Sequence, residues 1–127
     1  MPRHPSPQPT QVELEILQIL WELGPSPLGD IHQAVSERRD VAYSTTRKMV
    51  QVMKEKGLID SEEGVRPQRY HAVQSQEQTR SGLVDDLAER AFGGSTRSMM
   101  MSLLSSKKLS TDELSELKAL IDKVKGE

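Results

Sequence analysis

The side chains best suited to chemistry in this chain crowd into one short stretch, Tyr43-Ser-Thr-Thr-Arg-Lys-Met-Val-Gln51. Ser44, Lys48, Gln51 and Glu55 recur at i, i+4, i+7 and i+11, which puts them on one side of a helix, with Arg47 beside them. An arginine can form two parallel hydrogen bonds to a guanine edge or to a phosphate. Hydroxyls and amides such as those of Ser44, Thr45 and Gln51 suit phosphate oxygens and base edges alike. Tyr43, at the entry to the helix, either bonds a phosphate through its hydroxyl or packs as a capping aromatic on the first helix of the chain. Arg66 and Arg69 add two cations further on, with their direction left open by strand register. Each residue taken singly is also an ordinary solvated side chain. The set, at helical spacing, carries the reading.

Other constellations exclude more than they offer. His4, His32 and His71 lack the spacing of a metal site and read as surface or half-buried imidazoles. Asp85-Asp86 and Asp112-Glu113 read as solvated helix faces with no apolar pocket to raise a carboxyl pKa. There is no Gly-rich phosphate loop and no nucleophile elbow. With 0 Cys there is neither a disulfide framework nor a thiolate metal site. Met99-Met100-Met101 reads as packing, since methionine fills irregular gaps. The expectation is therefore a non-enzymatic protein with no metal and no cofactor.

The elements that must position the basic stretch follow from caps and periods. Thr10-Gln-Val-Glu13 is a capping box that opens a first helix. Leu14, Leu17, Leu20 and Trp21 give that helix its apolar face, and Gly24-Pro25 ends it. Ser26-Pro27 reads as a cap and first-turn proline for a second helix, with Leu28, Ile31, Ala34 and Val35 inward, ending near residues 38–40. The third helix starts near Tyr43-Ser44, turns Thr46, Met49, Val50 and Met53 inward, and stops at Gly57. The period then changes. Leu58–Ser61 and Arg69–Val73 read as two strands joined by a Gly- and Pro-containing link. Three helices and a hairpin are the order of a winged helix-turn-helix.

Beyond residue 74 three more helices are expected. One runs from Ser75 to Phe92 and is broken by Gly93-Gly94. The next covers residues 95–105, and the last opens on a second capping box, Ser110-Thr-Asp-Glu113. Their aliphatic side chains, among them Leu83, Leu87, Met100, Leu103, Leu104, Leu114, Leu117, Leu120 and Ile121, exceed what three short helices can bury among themselves. A homodimer is the simplest outlet. The expected fold class is mainly α with a small β-hairpin: a Pro-rich disordered tail over 1–9, a winged helix-turn-helix over 10–74, and a three-helix dimerisation domain over 75–127.

Charge adds a constraint. The 127 residues hold 17 Lys+Arg and 19 Asp+Glu, for a net charge of −2, which excludes a uniformly basic nucleic-acid coat. Residues 1–74 carry 9 basic and 10 acidic side chains, so the first half is not basic on average. Within it the signs separate along the sequence. The first helix takes Glu13, Glu15 and Glu22, while Arg47–Lys56 takes Arg47, Lys48, Lys54 and Lys56 against Glu55 alone. The expectation is a narrow basic surface on the third helix and wing. Aromatics make up 3% of the chain, too few for a platform that stacks single strands. No apolar run reaches the length of a membrane span or a secretory signal, so a soluble protein with no membrane insertion is expected.

Four stretches together carry a family resemblance: Glu13-Leu-Glu-Ile-Leu-Gln-Ile-Leu-Trp21, Val41-Ala-Tyr-Ser-Thr-Thr-Arg-Lys-Met49, Glu55-Lys-Gly-Leu-Ile59 and Ala91-Phe-Gly-Gly94. The chain resembles the penicillinase repressor family (BlaI/MecI/CopY type) of bacterial transcriptional regulators. That resemblance implies a cytoplasmic dimer that binds a palindromic double-stranded DNA operator. Contacts to DNA would fall on Ser44, Thr45, Arg47, Lys48 and Gln51. The resemblance also implies relief of repression downstream of a membrane metalloprotease receptor, by cutting at a bond matching Ser102-Leu103; the family has Asn-Phe there. The copper-responsive members' Cys motif is missing. A different class, a winged-helix module that docks proteins rather than DNA, fits the balanced charge and is kept as the alternative.

Overall fold

The computed structural model describes residues 8–106 and 109–126. All of the tail expected to be disordered, except Gln8 and Pro9, lies outside the described residues, and so does His4. The described chain divides into two compact units, one through Val84 and one from Asp85.

The first unit begins with α1 (Gln11–Leu23), on the expected capping box. Thr10 Oγ1 accepts the Glu13 N–H at 3.2 Å, and Glu13 Oε1 accepts the Thr10 N–H at 2.9 Å. Gly24, at φ 82, ends the helix in a positive-φ conformation that glycine adopts without strain. After β1 (Ser26–Pro27) come α2 (Leu28–Ser36) and α3 (Tyr43–Glu55), then β2 (Ile59–Ser61) and β3 (Arg69–Ala72). The core is one cluster: Ile16, Leu17, Ile19 and Leu20 from α1, Ile31 and Val35 from α2, Val50 and Met53 from α3, and Ile59 from β2. Each of these side chains sits at the helical or strand spacing that turns it inward.

The sheet has three strands in the order β1-β3-β2, all antiparallel, where a two-stranded hairpin was expected. Ser26 lies opposite Tyr70, and Pro27 opposite Arg69. Ser26 is therefore not the cap of α2. Its hydroxyl donates to the Gly24 carbonyl at 2.7 Å, and Pro27 precedes α2 without any side-chain bond. Proline is tolerated there because β1 is an edge strand, where one ladder donor can be missing. At the end of the wing the Trp21 indole N–H donates to the Gln74 carbonyl at 3.0 Å.

α4 (Gln76–Phe92) starts in the first unit on a third reciprocal box, in which Ser75 and Gln78 exchange bonds of 2.9 and 3.1 Å. The Gly94 N–H returns to the Ala88 carbonyl at 2.8 Å, so Gly93-Gly94 closes the helix as expected. α5 (Thr96–Ser106) and α6 (Thr111–Lys125) complete the second unit. Ser110 and Glu113 form the second expected box, at 2.9 and 3.0 Å. α5 buries Met99 alone, and α6 buries none of its described side chains.

Candidate nucleic-acid interface

α2, the turn over residues 37–42 and α3 form a helix-turn-helix. Thr46, Val50 and Met53 face the core at i, i+4 and i+7. The opposite side of α3 therefore presents Ser44, Thr45, Arg47, Lys48 and Gln51, and all five are exposed. Ala42 precedes α3 without a side-chain acceptor, and the first turn carries no acid. The positive end of this helix dipole is left uncompensated by side chains of its own first turn, which favours an anion near it.

Tyr43 is 43% exposed, and its ring packs on α2 rather than on α1. The partner is His32, whose ring stands nearly perpendicular at a centroid distance of 5.3 Å. The Arg47 guanidinium carbon lies 5.4 Å from the Tyr43 centroid, within reach of a cation–π contact. His32 Nδ1 lies 2.8 Å from the hydroxyl of fully buried Thr46.

Ion pairs narrow the basic surface further than counting did. Lys56 is held by Glu13 at 2.8 Å, Arg39 by Glu15 at 2.7 Å, and Arg69 by Glu62 at 2.8 Å. Lys54 donates to the Ser61 hydroxyl at 2.7 Å. Glu13 and Glu15 of α1 are thus partners of distant cations, and the Glu13–Lys56 pair ties the start of α1 to the end of α3. Arg47, Lys48 and Arg66 make no ion pair among the described residues. Arg66 is exposed in the link between β2 and β3, which also carries Glu62 and Glu63, so the wing is less basic than its arginines suggested.

Burial alone would raise the pKa of Glu13. The Lys56 ammonium and the Thr10 backbone N–H outweigh it and hold the carboxyl below its ordinary value. Glu113 is also lowered, chiefly by the Ser110 N–H, but it stands in open solvent. No group of three or more potential metal ligands occurs among the described residues, and none of their helices is long and apolar enough to cross a membrane.

The residues expected to join two subunits are largely uncovered. Leu83 and Leu117 are half-buried; Leu87, Met100, Leu103, Leu104, Leu114, Leu120 and Ile121 are exposed. Ser102 and Leu103 both lie exposed within α5. The contact of His32 with Thr46, 14 residues away, has no signal in the sequence, whereas the spacing of the Ser75–Gln78 box is legible there.

A helix-turn-helix followed by a small antiparallel wing is the fold of winged-helix transcriptional regulators. A MarR family protein of known structure from Bacillus stearothermophilus shares it, with a TM-score of 0.50 and 18% identity over 93% of this chain and 74% of that one. Residues 9–123 match the sequence model of the penicillinase repressor family, and the chain belongs to that family. It is 28% identical over 109 residues to the transcriptional regulator BlaI of Mycobacterium tuberculosis, spanning 84% of this chain and 78% of that one. It is 20% identical over 114 residues to the methicillin resistance regulatory protein MecI of Mammaliicoccus sciuri, spanning 90% and 93%. The family places the chain among transcriptional regulators rather than enzymes, as its residues implied.

Proposed function

We propose that this protein is a dimeric transcriptional repressor that binds a palindromic DNA operator, with residues 10–74 reading DNA and residues 75–127 joining the subunits. The observation that carries this reading is the division of α3. One face is locked into the core by Thr46, Val50 and Met53, and the other offers Ser44, Thr45, Arg47, Lys48 and Gln51. Such a helix fits a major groove, with the wing lying along the backbone. In this reading Tyr43 at the start of α3 and Arg66 and Arg69 of the wing add contacts to the DNA backbone. Few free cations per subunit make a single subunit a weak binder, so two half-sites share the work through effective concentration. The uncovered leucines of α5 and α6 support a second subunit as their cover. Repression is by occlusion of polymerase.

Relief in this reading follows cutting near Ser102-Leu103 downstream of a membrane metalloprotease receptor. That bond lies inside α5, so the helix opens locally before an extended protease cleft can take it.

The test is a salt titration of binding to a duplex selected from a random-sequence pool. Roughly six phosphate contacts per dimer give a slope of log affinity against log salt near −5. A flat response would overturn the repressor reading in favour of a protein-docking module.

A further inference from the structure

We propose that His32, on α2, is a positioning residue that sets the direction of Arg47 through the ring of Tyr43, and so the sequence preference of α3. The inference rests on the reading of α3 as the DNA-contacting helix. Its own support is a chain of three contacts. His32 Nδ1 meets the Thr46 hydroxyl at 2.8 Å, the His32 ring meets Tyr43 nearly edge-on at 5.3 Å, and Arg47 lies 5.4 Å from the Tyr43 centroid.

The need for such a device comes from the start of α3. Most helices fix their first turn with a Ser, Thr, Asp or Asn cap. The Ala42 methyl has no acceptor to do this, and only its backbone carbonyl takes the Thr45 and Thr46 N–H groups. His32 substitutes from the neighbouring helix. Its bond to Thr46 pins the buried side of the first turn, and its ring limits where Tyr43 can stand. Tyr43 and Arg47 are one helical turn apart, so a fixed ring gives the guanidinium a fixed place to rest. A long arginine side chain otherwise samples many rotamers, and only an oriented guanidinium discriminates a base edge by two hydrogen bonds. Losing orientation without losing charge lowers preference for one sequence while leaving attraction to phosphate intact.

Two variants separate the two contacts of His32. His32→Asn keeps a side-chain partner for Thr46 but removes the ring. His32→Phe keeps the ring and removes the hydrogen bond. The readouts are the ratio of affinities for a pool-selected duplex and a scrambled duplex, and the NMR position of the Arg47 Nε proton without DNA. In the wild type we expect that proton upfield of free arginine, since the guanidinium carbon lies 5.4 Å from the Tyr43 centroid. We expect His32→Asn to lose about five-fold in the ratio, the size of a moderate coupling between contacting residues. Its affinity for the scrambled duplex stays unchanged, and the Arg47 signal moves back toward that of free arginine. His32→Phe keeps the upfield signal and loses less of the ratio than His32→Asn, since the ring stays while the bond that pins the first turn is gone. An unchanged ratio and signal in His32→Asn would overturn the proposal, as would equal losses on both duplexes or the reverse order of the two variants. If the wild type binds no duplex, the DNA reading falls. The Arg47 signal in His32→Asn then still decides whether the relay exists, and a signal that stays upfield refutes it.

Discussion

The two units of this chain treat their apolar residues in opposite ways. In the first, α1, α2, α3 and β2 turn nine large side chains into a single cluster, each no more than 3% exposed. In the second, α6 buries nothing, and Leu114, Leu120, Ile121 and Val124 stand 49–65% exposed. Both use the same helical spacing of leucine and isoleucine, and both open helices on the same capping box. The difference is whether the chain itself supplies a second surface. Amphipathic periodicity shows which face of a helix seeks cover, and it is silent on whether that cover is the same chain or another.

A cavity in the core tests this contrast most strongly. Ile16 is fully buried, and Ile16→Ala should cost about 2–5 kcal/mol in urea unfolding. That loss should be the same at every protein concentration. The cost of Leu120→Ala should instead shrink on dilution, since it is felt through association. A concentration-independent loss at Leu120 would break the contrast. Next in size, Leu117→Asp combined with Leu120→Asp should give monomers by sedimentation and lower apparent duplex affinity on the order of 100-fold. A dimer that survives both changes would move the interface off α6.

The smallest expected effect compares the two capping boxes. Glu13 has a carboxyl pKa lowered in the fold, so its contribution is present above its unfolded pKa and fades as pH falls through the folded one. Thermal melts of Glu13→Gln should lie below wild type at neutral pH and converge with it in acid. Glu113→Gln should show a weaker form of the same curve, because no cation pairs with Glu113 among the described residues and the group is in water. Equal curves would mean that Lys56 contributes nothing at Glu13.

Much of the fold was legible in the chain because it is written locally. Thr10 and Glu13 are three residues apart, and the inward and outward faces of α3 follow from period alone. What escaped is set by distant partners. β1 is two residues long and exists only because Ser26 and Pro27 lie beside Tyr70 and Arg69. The pairing of Lys56 with Glu13 spans 43 residues, and it cancels part of a basic surface that composition had credited to α3. The candidate site was legible as a face and not as a mechanism. Ser44, Arg47, Lys48 and Gln51 could be picked out by spacing, while the support of Tyr43 by His32 depends on how α2 crosses α3.

The bond between Trp21 and the Gln74 carbonyl has an optical consequence. This protein has 1 Trp, and it is anchored at the point where the wing gives way to α4. Its emission therefore reports on the unit that holds it, whereas far-ultraviolet ellipticity sums every helix. The gap between those two signals on heating is a built-in gauge of whether the two units melt together or apart.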